Sequence, residues 1–485
     1  MVGTAALLVQ VVAGVAAVGS ASDLIDAVKA DDIQVVRALL GRGASADVST
    51  ADGTTALALA VDADNDRMVD LLIRGGARVD IPNRYGVTPL YLAASNANAA
   101  IAKRLIAAGA NVNETRPEGE TPLMAAARTG NADVVTLLLA HSALVNARER
   151  WLGETALMLA AAEDRAPVVR ILLDHGADPD IRALTLDGEP RRDRSAVALE
   201  PLRFNMTFPR GGMTALMLAA RQGSRESAKN LVAAGADLNI IDPEGIGALV
   251  LALINGHYDV AKVLIEAGAD VNATEPDGRT PLWAAVDMHT IEYTLNRPPP
   301  PSYDAVDGVE VVTALLQRGA DPNAVLKQTV RMRKINAGNP PLLGTGATAL
   351  MRAATHADLA VLRVLVAGGA DPNRKTRIGT TALMLAAGLG WRDLYSGGSE
   401  DDAIEFVKVC LSDGGDINAA NDDGNTALHG AAQRGSAKVI RFLVANGARP
   451  VVNKQGLTPL DEAERFVPVR AEAARVLREL TQTSR

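Results

Sequence analysis

The chain has 485 residues, enough for several ordinary domains or for one elongated array of small repeats. Its apolar content of 48% excludes a disordered chain, and an aromatic content of only 3% is low for a globular enzyme of this length. A net charge of −8 argues against a nucleic-acid binder, and the single cysteine, Cys410, excludes an internal disulfide and a zinc site built on thiolates.

The first stretch, MVGTAALLVQVVAGVAAVGSAS, is apolar from Ala5 to Val18 and ends in small residues. The run has the length of a signal-peptide core and is short for a membrane span, and Gly19-Ser20-Ala21 offers a cleavage site. Residues 1–21 are therefore expected to be a signal peptide of an exported protein, periplasmic or extracellular, with no stable membrane insertion after cleavage. No Lys or Arg precedes Lys29, so the usual basic start is missing. An uncleaved anchor and a cytoplasmic protein stand as alternatives. The excess of Arg over Lys, 39 to 10, suggests a GC-rich bacterial genome.

Next, SDLIDAVKADD starts a helix, with Ser22 or Asp23 available as N-cap. From there a period takes over. Gly-Ala pairs recur at Gly43, Gly76, Gly109, Gly176, Gly235, Gly268, Gly319, Gly369 and Gly447, with Ser142-Ala143 and Gly415-Asp416 as decayed versions. Successive spacings are 33, 33, 33, 34, 59, 33, 51, 50, 46 and 32 residues, a base period near 33 with four longer gaps.

Each period reads alike. Thr-Pro-Leu or Thr-Ala-Leu opens it, as at Thr88, Thr121, Thr280 and Thr458, with Thr as N-cap and Pro at the first helical position. A small-residue segment, Leu-x-Ala-Ala, lets a second helix approach. That helix carries apolar residues at helical spacing, as in Val134, Leu137 and Leu138. Glycine then ends it, and a polar segment rich in Asp, Asn and Gly turns the chain. TALMLAA is written out three times, at Thr155–Ala161, Thr214–Ala220 and Thr381–Ala387.

DGRTPLWAAV, EGETPLMAAARTGNADVVTLLLA and DDGNTALHGAAQRGSAKVIRFLVANGA resemble the ankyrin repeat. About twelve such units cover residues 22–485. The resemblance implies an all-α solenoid of helix-turn-helix units, with turn segments projecting as fingers beside a concave surface lined by the first helices. It also implies a non-catalytic scaffold or adaptor that binds a protein partner there. The alternatives are a regulator or stabiliser of an enzyme in the same compartment, or a secreted effector acting on host proteins. The first unit lacks the Thr-Pro-Leu opening, and the last puts Arg470, Glu472, Arg475 and Glu479 into its second helix, as expected of wetter caps. Methionine recurs at Met124, Met158, Met217, Met351 and Met384, where the family has His, kept only at His429. Packing between repeats is the expected role.

Six histidines, His141, His175, His257, His289, His356 and His429, are scattered without metal-ligand spacing. Nucleophile, P-loop and dinucleotide motifs are absent, and Asp401-Asp402 and Asp422-Asp423 are expected in turns or loop ends. No catalytic, cofactor-binding or metal residue is expected, and no nucleic acid. Cys410, on an apolar helix, reads as a buried thiol.

Four insertions depart from the repeat: Ile181–Gly211 and Ala324–Thr345 enlarge fingers, while His289–Val306, with Pro298–Pro301 as a stiff spacer or, alternatively, a polyproline ligand, and Trp391–Asp402 separate the two helices of their units. The first carries a net charge of +2 and the second of +4. Arg191, Arg192, Arg194, Phe204, Phe208, Arg331, Arg333 and Lys334 in these insertions, with Tyr85 and Trp151 at ordinary finger tips, are the candidate partner-binding residues. Arg and aromatic side chains are enriched at interface hot spots. Two readings stay open: the basic loops fold back on acidic fingers of their own chain (Asp178, Asp180, Asp237, Asp321), or they grip an acidic protein partner. A monomer is expected.

Overall fold

The computed structural model describes residues 21–186, 210–290, 304–328, 342–391, 397–465 and 470–483. Its residue contacts divide the chain into two compact units, Met1–Ala160 with Pro167–Asp178, and Ala161–Ala166 with Pro179–Arg485.

Helices come in pairs, one pair per repeat. In the first part of the chain they are α1 (Ala21–Lys29) with α2 (Ile33–Gly41), α3 (Ala56–Asp62) with α4 (Asp66–Arg74), and α5 (Pro89–Ser95) with α6 (Ala99–Ala107). Then follow α7 (Pro122–Thr129) with α8 (Ala132–Ala140) and α9 (Ala156–Ala162) with α10 (Ala166–Asp174). A two-residue antiparallel pair, β1 (Thr185–Leu186) and β2 (Arg210–Gly211), forms the stem of the first finger insertion.

Beyond it are α11 (Ala215–Gln222) with α12 (Arg225–Ala233), α13 (Ala248–Ile254) with α14 (Tyr258–Glu266), and α15 (Pro281–His289) with α16 (Gly308–Gln317). The last four pairs are α17 (Ala349–Ala354) with α18 (Leu359–Ala367) and α19 (Ala382–Ala387) with α20 (Glu400–Ser412), then α21 (Ala427–Arg434) with α22 (Ala437–Ala445) and α23 (Pro459–Glu464) with α24 (Ala471–Thr483). The fold is all-α, built of ankyrin-type helix pairs.

Within each unit the first helices pack side by side in one layer and the second helices in another. The first-helix layer runs α1, α3, α5, α7 in the first unit and α11 through α23, odd numbers only, in the second. The core lies between the layers and repeats with the period. Leu57, Leu90, Leu123 and Leu157 fill it from one side, and Leu72, Leu105, Leu138 and Leu172 from the other. None of these helices buries enough apolar surface by itself; each is held by its pair and by its neighbours. Cys410 takes the place that Leu365 and Leu443 hold in the flanking second helices. Burial pushes its thiol up to about 12, so it behaves as a small hydrophobe.

The caps follow the chemistry of the opening residues. Thr55, Thr88 and Thr121 accept the N–H three residues on, at 3.0, 3.2 and 3.2 Å. Asn65, Asn98 and Asn131 do the same for the second helices. Most second helices end on a glycine in the left-handed region, such as Gly43 (φ 89°) and Gly109 (φ 95°).

Three local expectations are corrected. The decayed pair is Gly414-Gly415, one residue earlier than the spacing suggested. Gly414 has the positive φ of 84°, and Gly415 packs where a Cβ would meet the Cys410 carbonyl at 2.6 Å. Asp401 and Asp402 are not in a turn but in the first turn of α20. Ser399 caps that helix at 3.0 Å, and its positive N-terminal end favours three successive acids. Arg470 precedes α24 and is buried against Gly435, so of the four charges expected there Glu472, Arg475 and Glu479 lie on the exposed face of the last helix and Arg470 does not.

The segments between repeats are stitched by one recurrent residue. Asn146 donates its side-chain amide to the Gly176 carbonyl at 3.1 Å and accepts the Asp178 N–H at 2.9 Å. Asn113 does this one repeat earlier, and Asn272, Asn323 and Asn418 do it in the second unit.

Candidate partner-binding surface

Each finger is a tight turn braced by the side chain that opens it. Asn83 accepts the N–H groups of Tyr85 and Val87, both at 3.0 Å. Glu149 accepts those of Trp151 and Leu152 at 2.6 Å and of Glu154 at 2.9 Å. Tips are also joined to the preceding tip. Arg84 N–H donates to the Asp52 carbonyl at 3.0 Å, and Arg150 N–H to the Glu118 carbonyl at 2.6 Å. In the second unit Lys327, Arg377, Asp422 and Lys454 make the same bond. Proline breaks the series at Pro117, Pro243 and Pro276. Having no N–H, each packs its ring on the glycine of the preceding tip (Gly86, Gly212 and Gly245), all three at positive φ.

Tyr85 and Trp151 stand at the tips of two such fingers in the first unit, 54% and 64% exposed. The finger carrying Pro117 lies between them in sequence, so the structure sets them on alternate fingers of one row and does not bring them into contact. Arg191, Arg192, Arg194, Phe204, Phe208, Arg331, Arg333 and Lys334 lie outside the described residues. The ends of the insertions are described. Trp391 lies under the guanidinium of Arg434 at 4.2 Å, and Arg434 donates to the Gly398 carbonyl at 2.6 Å, so this insertion rests on the first helix of the following repeat. Leu326 and Leu343 are buried at the base of another. The acids considered as targets for the basic loops are partly committed elsewhere: Asp180 accepts the Asp237 N–H at 2.9 Å, and Asp321 the Asn323 N–H at 2.8 Å.

Beside the fingers, the first helices present two rows. Three residues after the capping Thr stand Met124, Met158, Met217, Met351 and Met384, all buried, as packing between repeats requires. Tyr91 and Trp283 occupy the same place. Tyr91 donates to Glu120 at 2.7 Å, and Glu120 also accepts from Arg116 at 3.0 Å and pairs with Arg128. One residue further on, Leu59, Leu92 and Leu159 of the first unit are only half-buried. The equivalent Leu218, Leu251, Ala284, Arg352, Leu385 and Gly430 of the second unit are all buried. Ala125, at the same place in the first unit, is buried, so that face is half-open in three of the four Thr-capped repeats there and closed in the second unit.

Arg352 is the anomaly of that row: a guanidinium, 4% exposed, where TALMLAA has its second Leu. Its Nε donates to Asp287 at 2.5 Å, and its Nη1 reaches Thr355 Oγ1 at 2.9 Å and His356 Nδ1 at 3.0 Å. Burial and the Arg352 charge hold His356 down at about 3. Nearby, His289 Nδ1 lies 2.7 Å from Asp358, which raises the histidine, and that bond outweighs the opposing effect of burial. Thr355 Oγ1 is 2.9 Å from His356 Nδ1, within reach of a base, but it also donates to the Arg352 carbonyl at 2.7 Å. A ring that ionises only near 3 and faces a cation is a poor acceptor of a hydroxyl proton at neutral pH. The cluster is structural. His141 and His175 bond carbonyls of their own helices at 2.9 and 2.8 Å. Among the described residues no group of three or more His, Cys, Asp or Glu could hold a metal ion, and no helix is long and apolar enough to cross a membrane.

Comparison with known proteins agrees with this architecture. The family model for ankyrin repeats in three copies matches residues 24–116, 96–183, 216–295 and 398–482, and that for the single ankyrin repeat matches 277–327 and 345–377. The mitochondrial disaggregase of Bos taurus is 32% identical over 163 residues, 32% of this chain and 20% of that protein. Alpha-latrocrustotoxin-Lt1a of Latrodectus tredecimguttatus is 33% identical over 108 residues, 22% of this chain and 7% of the toxin. The nuclear factor NF-kappa-B p105 subunit of Gallus gallus is 32% identical over 126 residues, 26% of this chain and 11% of that subunit. The chain thus spans a fifth or less of the length of these relatives.

Proposed function

The chain belongs to the ankyrin-repeat family, and on that premise we propose that it is a non-catalytic adaptor that holds a protein partner against its first compact unit. One contrast carries the reading. In that unit the first-helix face is half-open at Leu59, Leu92 and Leu159, and it lies beside finger tips that expose Tyr85 and Trp151. In the second unit the same helical position is buried throughout. Large rings held on braced turns lose little side-chain freedom on binding, so they suit an interface.

The test is affinity capture from cell extract by the wild-type protein and by the Tyr85→Ala/Trp151→Ala variant, with helical content checked by circular dichroism. Loss of the captured protein with the fold intact supports the reading; identical capture by both proteins sinks it. The apolar run Ala5–Val18 supports export from a bacterial cell. A natural protein beginning at Ser22 would agree with that, and one retaining Met1 would not.

A further inference from the structure

The two exposed rings are each preceded by arginine: Arg84-Tyr85 and Arg150-Trp151 form the same dyad two repeats apart. The Arg84 guanidinium lies over the Tyr85 ring at 5.1 Å. Arg150 Nη1 donates to the Pro117 carbonyl at 3.3 Å, and its stem lies close against Gly119. Arg78, Arg104 and Arg116 of this unit are neutralised, by Asp47 at 2.8 Å, Asp66 at 2.7 Å and Glu120 at 3.0 Å; what distinguishes Arg84 and Arg150 is the exposed ring that follows each. Among the described residues Arg84 and Arg150 pair with no carboxylate. Between the dyads one tip-to-tip bond is missing. The Tyr85 carbonyl occupies the place from which other tips accept a bond from the next finger. Pro117 has no N–H to give, and the carbonyl takes no other hydrogen bond among the described residues.

We propose that this row takes an extended, carboxylate-bearing segment of the partner. One acidic side chain pairs with Arg84 and a second with Arg150, while apolar side chains lie on Tyr85 and Trp151. The planar guanidinium fork matches a carboxylate while its face stays stacked on a ring. A phosphate backbone fits less well, since Asp52, Glu118 and Glu149 share these tips and repel a continuous line of negative charge. The proposal rests on the adaptor reading above and adds the register and chemistry of the bound segment.

The experiment is selection of random peptides displayed on phage against the full chain. The recovered peptides are then titrated by fluorescence anisotropy on the wild type, Arg84→Ser/Arg150→Ser, Arg84→Lys/Arg150→Lys and Tyr85→Ala/Trp151→Ala. A single-stranded oligonucleotide is titrated in parallel. Expected are peptides enriched in Asp or Glu at two separated places. Their binding should weaken about tenfold or more in the serine variant, weaken less in the lysine variant, and weaken with added salt.

Peptides without acidic enrichment, or bound equally by the serine variant, overturn the inference. If the alanine variant still loses them, the adaptor reading stands. Binding untouched by every variant would remove both. Recovery of no peptide, or equally tight binding of the oligonucleotide, overturns the inference.

Discussion

The Nδ1 of His429 accepts the backbone N–H of Thr426 at 3.2 Å, and the thioether of Met124 takes the same place toward Thr121 at 3.5 Å. The two residues fill one structural position with different acceptors. Because Nδ1 accepts, Nε2 carries the proton and faces the Leu457 carbonyl at 3.3 Å. Burial holds the ring below the usual histidine range. Its stabilising contribution is therefore complete above about pH 6.5 and is lost as pH falls, because the unfolded chain takes up a proton that the folded ring resists. Urea unfolding at about pH 7.5 and about pH 5.5 should show a smaller loss of stability for His429→Met than for the wild type. Equal losses would rule out His429 as the source.

Two further histidines titrate in opposite senses. His356 is held at about 3, so its contribution is present above about pH 6.5 and fades as pH falls toward about 3. His289 is raised by Asp358, so its contribution is present below about pH 6.5 and is lost as pH rises through the folded value. His356→Asn should flatten the acid side of the stability profile and His289→Asn the neutral-to-alkaline side. The same change in both variants would contradict the assignment.

Arg352 is a buried ion-pair partner in a row of apolar residues. Arg352→Ala leaves Asp287 and the surrounding polar groups unmatched and should cost about 3–5 kcal/mol. Arg352→Leu combined with Asp287→Ala restores the apolar motif and should be neutral or stabilising, by up to about 2 kcal/mol. Urea midpoints of the three proteins check this; a double variant as weak as the single one would count against it.

Ala97 has φ of 61° where the neighbouring repeat has Gly130 at 86°. A side chain in that region costs about 1–2 kcal/mol, which the added freedom of glycine in the unfolded chain partly offsets. Ala97→Gly should raise stability by about 0.5–1 kcal/mol, read as a higher melting temperature. No rise would mean that the Asn131 amide, which donates to the Ala97 carbonyl at 2.8 Å, already absorbs the strain.

Leu138 is fully buried between the layers of the first unit. Leu138→Ala should cost about 2–5 kcal/mol. Because stability in a stacked array is a sum of neighbour terms, amide exchange should quicken in α6, α7 and α8 while α21 to α24 keep their protection. A uniform loss of protection would show a single cooperative block instead.

The helix pairs, their threonine caps and the glycine stops were legible because each is set by a local residue choice repeated at one period. The burial of the methionine row and of Cys410 followed from the same periodicity. What escaped depended on partners a repeat away. The Asn in segments such as Ala-Asp-Val-Asn reads as a turn residue, and its two bonds to the next repeat show only once the repeats are stacked. Arg352 differs from TALMLAA by one letter, and its carboxylate lies 65 positions upstream. Gly414 was missed because two adjacent glycines fit the stop equally well until φ separates them. Tyr85 and Trp151 were expected at finger tips and are exposed there, but the stacking of the Arg84 guanidinium over the Tyr85 ring shows only in the folded turn.

Pro117, Pro243 and Pro276 have an effect beyond their own turns. A row of finger tips joined by backbone bonds is the beginning of a sheet edge, and an uninterrupted edge invites other chains to add on. Each proline removes one donor and leaves a ring in its place, so the row is divided into short runs too brief to template a foreign strand. A residue that cannot donate thereby limits how far the row could recruit copies of the same chain.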